Sequence, residues 1–351
     1  MVVHHPDSMT PEWLTAGLRA AGFDGVVGAA TMQPVGTGQM ADSARFTLDY
    51  ATGSGPPSVV VKMSPANVDA RLIGASGYLK EVAFYDEIAS TTACRVPVRY
   101  FAEISDDGAL FSLMLEDLAP AEQGDQIAGC TVEQAAIAVE NLAGLHGPRW
   151  NDHTLVGAAD LALPDADSIA FLGLLMEADT EEFIGRHADR MIAEDIDTIR
   201  AFAPRIGDWL EARTEPLGLV HGDYRLDNLL FGTAAGGYPV ATVDWQTVGL
   251  GVPARDLSYF LGNSLSIADR QRHERALVER YHAALLGHGV ADYSFDQCFD
   301  DYRYGQFQGP MVSVLGAIHS TRTDRGDDMF MAMISRSGQA IRDLDSFATL
   351  P

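Results

Sequence analysis

Two short motifs carry side chains that could transfer a phosphoryl group. The first is His221-Gly222-Asp223-Tyr224-Arg225-Leu226-Asp227-Asn228, and the second is Val243-Asp244-Trp245. Each acidic residue follows a short apolar run, with an asparagine five positions beyond the first. Phosphoryl transfer needs one carboxylate to orient a hydroxyl, and an amide and a second carboxylate to hold magnesium on the phosphates. The spacing therefore predicts Asp223 as the catalytic base, and Asn228 and Asp244 as Mg²⁺ ligands.

The order of these residues has a counterpart in known kinases. It matches the H-R-D-x-x-x-x-N loop and the later D-F-G of protein kinases, with Gly222 in place of the arginine and Trp245-Gln246 in place of Phe-Gly. This variant resembles the aminoglycoside phosphotransferase and choline kinase superfamily, including its ecdysteroid-kinase-like branch. An Asx-rich turn is the alternative for the first motif alone. The second motif, placed after its own apolar run, favours the kinase interpretation.

The resemblance implies roles for further charged residues. Arg225 takes the position of a protein-kinase lysine, and its guanidinium would spread charge over the oxygens of the transferring phosphate. Lys62 ends the run Val59-Val60-Val61, as the V-A-I-K lysine does, and would bridge the α- and β-phosphates of ATP. Glu81 is its expected carboxylate partner, and Glu87 is the alternative.

The rest of the predicted ATP site depends on backbone groups. Gly36-Thr37-Gly38-Gln39 lies between two predicted strands, where Gly36 and Gly38 would let the backbone approach the phosphates. A plain hairpin turn would have the same sequence. Ser43 is the candidate side chain beside this loop. By resemblance, the Glu116 carbonyl and the Leu118 N–H would face the adenine ring.

Other residues near the motifs are expected to give structural support. His221 would hold the catalytic loop, and Asp256, near a predicted helix start, would brace it. Asp227 either faces the acceptor or is an exposed loop acid. The segment Arg325-Gly326-Asp327 is predicted to be a solvated turn.

The elements that must position these residues follow from the apolar patterns. Alternation predicts a strand over 46–50, and short apolar runs predict strands over 58–63, 96–100 and 110–115, with a helix over 79–89. After Leu118 the patterns are helical, apart from strand-like runs over 217–245. The fold class is α+β. The resemblance implies a bilobal kinase-like fold in which residues 1–118 form an ATP-binding lobe with a five-stranded antiparallel sheet and one helix. Residues 119–351 would form a larger, mainly helical catalytic and substrate-binding lobe.

Composition restricts the partners. The formal net charge of −25 argues against nucleic acid and against an anionic membrane surface. The apolar runs are too short to span a membrane, and the start Met-Val-Val-His-His-Pro-Asp does not resemble a secretion signal. Three widely spaced cysteines predict free thiols in a reducing cytoplasm. A cytoplasmic monomer or homodimer is expected.

The expected partner is a small molecule with a hydroxyl group, and its identity is less constrained. The acidic stretch 177–182 could bind a cationic acceptor or could be a solvated helix face. Tyr302, Tyr304, Phe307 and Met311 could line an apolar pocket or belong to the core. With Trp245 next to a metal ligand, these residues favour a neutral or partly apolar alcohol over an aminoglycoside.

Three functions therefore stay open: a kinase for a small alcohol, an aminoglycoside-type antibiotic kinase, and a nucleotide-binding regulatory pseudokinase. The presence of Lys62, Asp223, Asn228 and Asp244 favours an active enzyme that uses ATP and Mg²⁺.

Overall fold

An antiparallel sheet forms most of the N-terminal part of the chain. The computed structural model describes residues 2–36 and 41–351. The strands of this sheet are β1 (Val26–Pro34), β2 (Asp42–Thr52), β3 (Ser58–Met63), β4 (Arg99–Ile104) and β5 (Phe111–Glu116). Within the described residues they make a five-stranded sheet in the order β1-β2-β3-β5-β4. Every neighbouring pair is antiparallel.

Two helices accompany the sheet. Helix α1 (Pro11–Ala20) is capped by Thr10, whose side chain accepts a hydrogen bond from the Trp13 N–H. Helix α2 (Val68–Ala83) begins well before the predicted span 79–89 and ends in a π-helical turn, Phe84–Ile88. The prediction missed its first turns because Gly74 and Gly77 interrupt the apolar pattern.

The C-terminal part is mainly helical, as predicted. Its helices are α3 (Val132–His146), α4 (Ala166–His187), α5 (Ala193–Phe202), α6 (Ile206–Ala212), α7 (Ala254–Ser264), α8 (Ile267–Gly287), α9 (Phe295–Tyr304), α10 (Gln308–His319) and α11 (Asp324–Asp343). Its short strands are β6 (Glu122–Gln123), β7 (Gly218–Val220), β8 (Leu229–Thr233), β9 (Gly236–Thr242) and β10 (Gly249–Gly251). They pair as β6-β8-β9 and β10-β7, and they hold the two sequence motifs at their ends.

The alternation of side chains along β3 directs Lys62 toward the helical part. Val59 and Val61 are buried in a cluster between the sheet and α1, so Val60 and Lys62 point to the opposite face. That face, with α2, joins a second buried cluster that continues into the C-terminal part through residues such as Leu142 and Trp245. A continuous core therefore connects the strand that carries Lys62 with the segment that carries Asp244.

The predicted α+β class, with a five-stranded antiparallel sheet followed by a helical part, is confirmed for the described residues. The division of the chain into lobes at residue 118 stays a prediction. Strand β4 begins at Arg99, later than the predicted 96–100, because Pro97 has no N–H for the sheet. In the described part of the chain, the helices are too short or too polar to cross a membrane.

Candidate active site

The side chains singled out from the sequence meet in one cleft between the sheet and the helical part. The cleft has a volume of about 420 Å³. Its lining includes Gly36, Ser43, Lys62, Glu81, Glu116, Leu118, Asp223, Arg225, Asn228 and Asp244. Gly38 lies outside the described residues.

Lys62 connects the sheet, helix α2 and the second motif. Its Nζ lies 2.9 Å from Oε1 and 2.7 Å from Oε2 of Glu81, and 2.8 Å from Oδ1 of Asp244. Glu81 is 1% exposed, and its Oε1 also accepts a hydrogen bond from the Trp245 N–H at 3.2 Å. The alternative partner Glu87 accepts from the Ala159 N–H instead. The structure therefore pairs Lys62 with Glu81.

These three groups shift one another's pKa. Burial lowers the pKa of Lys62, but Asp244 and Glu81 outweigh burial and raise it above its ordinary value. Burial raises the pKa of Glu81 more than Lys62 lowers it. Burial also acts to raise the pKa of Asp244, yet Lys62 outweighs it and the net pKa is lowered. An ammonium and an ionised carboxylate are therefore held side by side at neutral pH.

The backbone at Asp244 is in a strained conformation that separates the directions of two neighbouring side chains. Asp244 has a φ of 67°, a backbone conformation that residues other than glycine adopt at a cost of about 1 kcal/mol or more. Trp245 is fully buried and stacks on Phe84, with ring centroids 3.8 Å apart. The chain thus turns Asp244 into the cleft while its neighbour anchors the segment in the core. The Trp245 ring is therefore buried and does not line the cleft, so the expectation that it favours a partly apolar acceptor is wrong.

The first motif surrounds Asp223 with hydrogen-bond donors. Tyr259 Oη donates to Asp223 Oδ1 at 2.7 Å, and Arg225 Nε donates to Oδ2 at 2.9 Å. Asn228 Nδ2 donates to Oδ2 at 3.0 Å and to the Asp223 carbonyl at 2.9 Å. Burial lowers the pKa of Arg225, but Asp223 and its neighbours raise it above its ordinary value. Arg225 also contacts the Met329 sulfur through Nη1.

Asp256 holds the start of this loop, as expected. Its carboxylate accepts from the His221 N–H at 2.6 Å and from the Gly222 N–H at 3.0 Å. Burial raises the pKa of Asp256, yet the hydrogen bond from His146 and other nearby groups outweigh it and lower the pKa. The ring of His221 accepts from the Asp223 N–H at Nδ1, so its Nε2 donates to the Val243 carbonyl at 3.1 Å. His221 thereby ties the first motif to the second.

Gly222 is expected to be irreplaceable at the turn before Asp223. Its φ is 81°, and a Cβ would lie 2.6 Å from the Thr247 carbonyl oxygen. Gly289 has a φ of 95°, and a Cβ added there would meet nothing within 4 Å, so Gly289→Ala measures conformational strain alone. We expect Gly289→Ala to cost about 1–2 kcal/mol of unfolding free energy. Gly222→Ala should cost roughly 1–3 kcal/mol more, because the Thr247 carbonyl oxygen belongs to the backbone and cannot move aside as a flexible side chain could. Urea denaturation of both variants measures the difference, and equal losses would contradict the close-contact argument.

Two predictions about charged neighbours of the loop are wrong. Asp227 is 5% exposed and accepts from Arg325 Nη2 at 3.0 Å, from Nη1 at 3.1 Å and from the Gln126 N–H at 3.0 Å. Asp227 is therefore not an exposed loop acid; it lines the cleft with its carboxylate paired to Arg325, and its contact with an acceptor stays a prediction. Arg325 lies in the first turn of α11 and lines the cleft, whereas a solvated turn was predicted.

Sequence reasoning missed Tyr259, Met329 and the position of Arg325. Tyr259 follows Asp256 by three residues in α7, so both side chains lie on the same face of that helix. That spacing is a signal that could have identified Tyr259. Met329 and Arg325 come from a distant helix, and no local pattern connects them to residue 223.

The segments proposed for acceptor binding have other partners. Asp179 Oδ2 lies 2.6 Å from His319 Nε2, and Glu181 accepts from Arg200 at 2.7 Å, so the acidic stretch is partly paired rather than an open cation site. The aromatic residues belong to buried clusters, as their helical spacing suggested: Tyr302, Tyr304 and Phe307. Neither segment contributes to the described lining of the cleft.

The acidic residue that ends β5 and the one that follows it are each paired with an arginine. Glu116 accepts from Arg95 Nη2 at 2.7 Å, and Asp117 accepts from Arg45 Nε at 2.6 Å. Ser58 Oγ donates to Asp117 as well, at 2.7 Å. The segment that follows β5 is thus fixed from both sides. The backbone contacts of Glu116 and Leu118 with adenine stay predictions.

Comparisons with known proteins concern the family of the sequence and the fold of the chain. The model of the phosphotransferase enzyme family matches residues 44–295. The fold is similar to that of choline kinase from Cryptosporidium parvum Iowa II, with 10% identity, 92% of each chain covered and a TM-score of 0.57. It is similar to a GDP complex of wild-type aminoglycoside 2'-phosphotransferase-IIIa, with 12% identity, 92% of this chain and 96% of that one covered, and a TM-score of 0.56. Ethanolamine kinase from Plasmodium vivax is 11% identical, with 90% and 83% covered and a TM-score of 0.54. No curated protein matches the chain by sequence.

Proposed function

Because the chain belongs to the phosphotransferase enzyme family, we propose that this small-molecule kinase transfers the γ-phosphoryl group of ATP to a hydroxyl, with Mg²⁺ as cofactor. One observation carries the proposal. The Lys62–Glu81–Asp244 cluster and the Asp223–Arg225–Asn228 cluster line the same cleft. The first is suited to phosphates, and the second is suited to an attacking alcohol.

The nucleotide end of the cleft is formed by Lys62 and its partners. Its ammonium stays protonated, because Asp244 and Glu81 raise its pKa, and it can pair with phosphate oxygens. Glu81 would keep it in place when a phosphate competes with Asp244. The GDP complex of the structurally similar aminoglycoside 2'-phosphotransferase-IIIa supports a purine nucleotide in this position and makes GTP the alternative donor.

Asn228 and Asp244 are the proposed magnesium ligands, and their chemistry fits that ion. Mg²⁺ binds hard oxygen donors and keeps several positions for water and phosphate. Asn228 directs its amide nitrogen at Asp223, which turns its amide oxygen away, and the Asp244 side chain is 38% exposed. Among the described residues no three His, Cys, Asp or Glu side chains cluster to hold a metal, so the ion would depend on these two and on phosphate oxygens. When bound, it would neutralise charge on the phosphates.

Asp223 is the proposed catalytic base. It would orient the acceptor hydroxyl for in-line attack and receive its proton late in the transfer. A guanidinium has five N–H donors, so Arg225 retains donors for the transferring phosphate beyond those it gives to Asp223 and Met329. The presence of each group favours turnover over a regulatory pseudokinase.

The acceptor is proposed to be a neutral or mildly polar alcohol. The carboxylates at this end of the cleft, Asp223 and Asp227, are each paired with an arginine. A polycationic aminoglycoside would need carboxylates that are free to pair with it.

Membership of the ecdysteroid-kinase-like branch stays a prediction, as does the cytoplasmic location.

Nucleotide turnover tests the proposed function directly. ADP and GDP release would be measured with ATP or GTP, with and without Mg²⁺, against panels of alcohols, sugars and aminoglycosides. Mass spectrometry would identify a phosphorylated product. We expect acceptor-dependent ADP release that requires Mg²⁺. A protein that binds ATP but releases no ADP with any acceptor, or with water, would support the pseudokinase alternative.

A further inference from the structure

The carboxylate of Asp223 has few sites left for another hydrogen bond. An ionised carboxylate offers about four lone-pair sites, two on each oxygen. Oδ2 accepts from Arg225 Nε at 2.9 Å and from Asn228 Nδ2 at 3.0 Å, which uses both of its sites. Oδ1 accepts from Tyr259 Oη at 2.7 Å. One site on Oδ1 therefore remains for an incoming hydroxyl.

Tyr259 is placed to act through Asp223 and not on the substrate. It is fully buried, with 0% exposure, and its ring belongs to the apolar cluster of the C-terminal part that includes Trp209 and Phe307. It also shares α7 with Asp256, which accepts the His221 and Gly222 N–H groups. The same helix therefore fixes the loop backbone through Asp256 and the loop carboxylate through Tyr259.

We propose that Tyr259 is a positioning residue for phosphoryl transfer, which selects Oδ1 of Asp223 as the atom that receives the acceptor's proton. This inference rests on the proposed function. In the step, the alcohol oxygen forms a bond to the γ-phosphorus and the bond from that phosphorus to the ADP oxygen breaks. The bonding electron pair leaves with ADP, and the alcohol proton passes to Oδ1. Tyr259 stops the carboxylate from rotating, so that the remaining lone pair of Oδ1 keeps one direction.

Tyr259→Phe removes only the hydroxyl that makes this contact. We expect kcat to fall about 10-fold, as the loss of one hydrogen bond to a charged group in the transition state implies. The KM for the nucleotide should stay within about 2-fold, because Tyr259 does not line the nucleotide end of the cleft. The kcat to compare is that of ADP release with an alcohol from the acceptor screen, or of nucleotide hydrolysis with water as the acceptor.

Tyr293→Phe is the matched control. Tyr293 is 3% exposed and its hydroxyl donates to Oδ2 of Asp301 at 2.9 Å, away from the cleft. Both variants lose a buried phenol-to-carboxylate hydrogen bond, so both melting temperatures should fall by similar amounts. Only Tyr259→Phe should lower kcat at a temperature where both proteins are folded. A wild-type kcat in both variants, or an equal loss of kcat in both, would overturn the positioning role.

A double-mutant cycle provides a second readout that a purely structural role would not give. If Tyr259 acts through the Asp223 carboxylate, Tyr259→Phe should have no further effect on the residual rate of Asp223→Asn. An undiminished 10-fold loss on that background would overturn the inference. A wild-type protein without turnover would contradict the proposed function, whereas an active wild type with an equally active Tyr259→Phe would contradict only the role of Tyr259.

Discussion

Replacement of Asp223 by alanine is expected to lower kcat by roughly 1,000-fold or more, the upper range for a general base that also orients the nucleophile. Nucleotide affinity should change little, because the phosphate-binding candidate Lys62 contacts Glu81 and Asp244 and not Asp223. Steady-state kinetics gives kcat, and calorimetric titration with ATP gives the dissociation constant. The pattern to look for is a lost chemical step with retained binding.

Asp223→Asn separates the loss of the base from the loss of its contacts. Alanine leaves the donors Arg225, Asn228 and Tyr259 without their shared acceptor and should also destabilise the loop. Asparagine keeps the shape and one acceptor oxygen but cannot take a proton. If either variant turns over at the wild-type rate, Asp223 is not the base and the assignment of the loop fails.

Asp244→Asn is expected to abolish the Mg²⁺ dependence of nucleotide binding and to lower ATP affinity in Mg²⁺ by about 100-fold. Loss of one metal-bound carboxylate removes a full charge from a site with few protein ligands. Lys62 keeps Glu81 as a partner, so the fold should survive. Asparagine is preferable to alanine here because it tolerates the positive φ of 67° at this position.

The measurement is ATP affinity across a Mg²⁺ titration, with a chelator at its lower end. Wild type should bind more tightly as Mg²⁺ rises, and Asp244→Asn should follow the flat, weak profile of wild type in chelator. Asp244→Ala should show the same flat profile with a larger loss of unfolding free energy. A Mg²⁺ response equal to that of wild type would remove Asp244 from the metal site.

The sequence predicted the parts of the site that short motifs encode. Asp223, Arg225 and Asn228 lie within six residues, and Lys62 directly follows the run Val59-Val60-Val61, where it matches the V-A-I-K lysine of kinases. Its pairing with Glu81 rested on the resemblance, because helix α2 is followed by a second acid at Glu87. Local apolar patterns and turns predicted the strands over 46–50, 58–63, 96–100 and 110–115, whereas the number of five strands was implied by the resemblance.

What could not be predicted depends on packing between distant segments. Whether Trp245 faces the cleft or the core is decided by the ring of Phe84, which lies far away in the chain. The cationic partner of Asp227 is Arg325 in α11, and no local sequence pattern connects these two residues. The beginning of α2 was missed for a different reason, because its glycines weaken the helical pattern although Asn67 caps it.

The carboxylates along the cleft each have a cationic neighbour: Glu81 and Asp244 have Lys62, Glu116 has Arg95, Asp117 has Arg45, Asp223 has Arg225 and Asp227 has Arg325. Six carboxylates in the walls thus face five cationic side chains, so most of the net charge of −25 lies outside the cleft. Within a screening distance of about 8 Å of the acidic surface an approaching triphosphate meets repulsion, and between the paired walls of the cleft it meets much less. Surface charge then governs how often the nucleotide arrives, while the paired walls govern how long it stays.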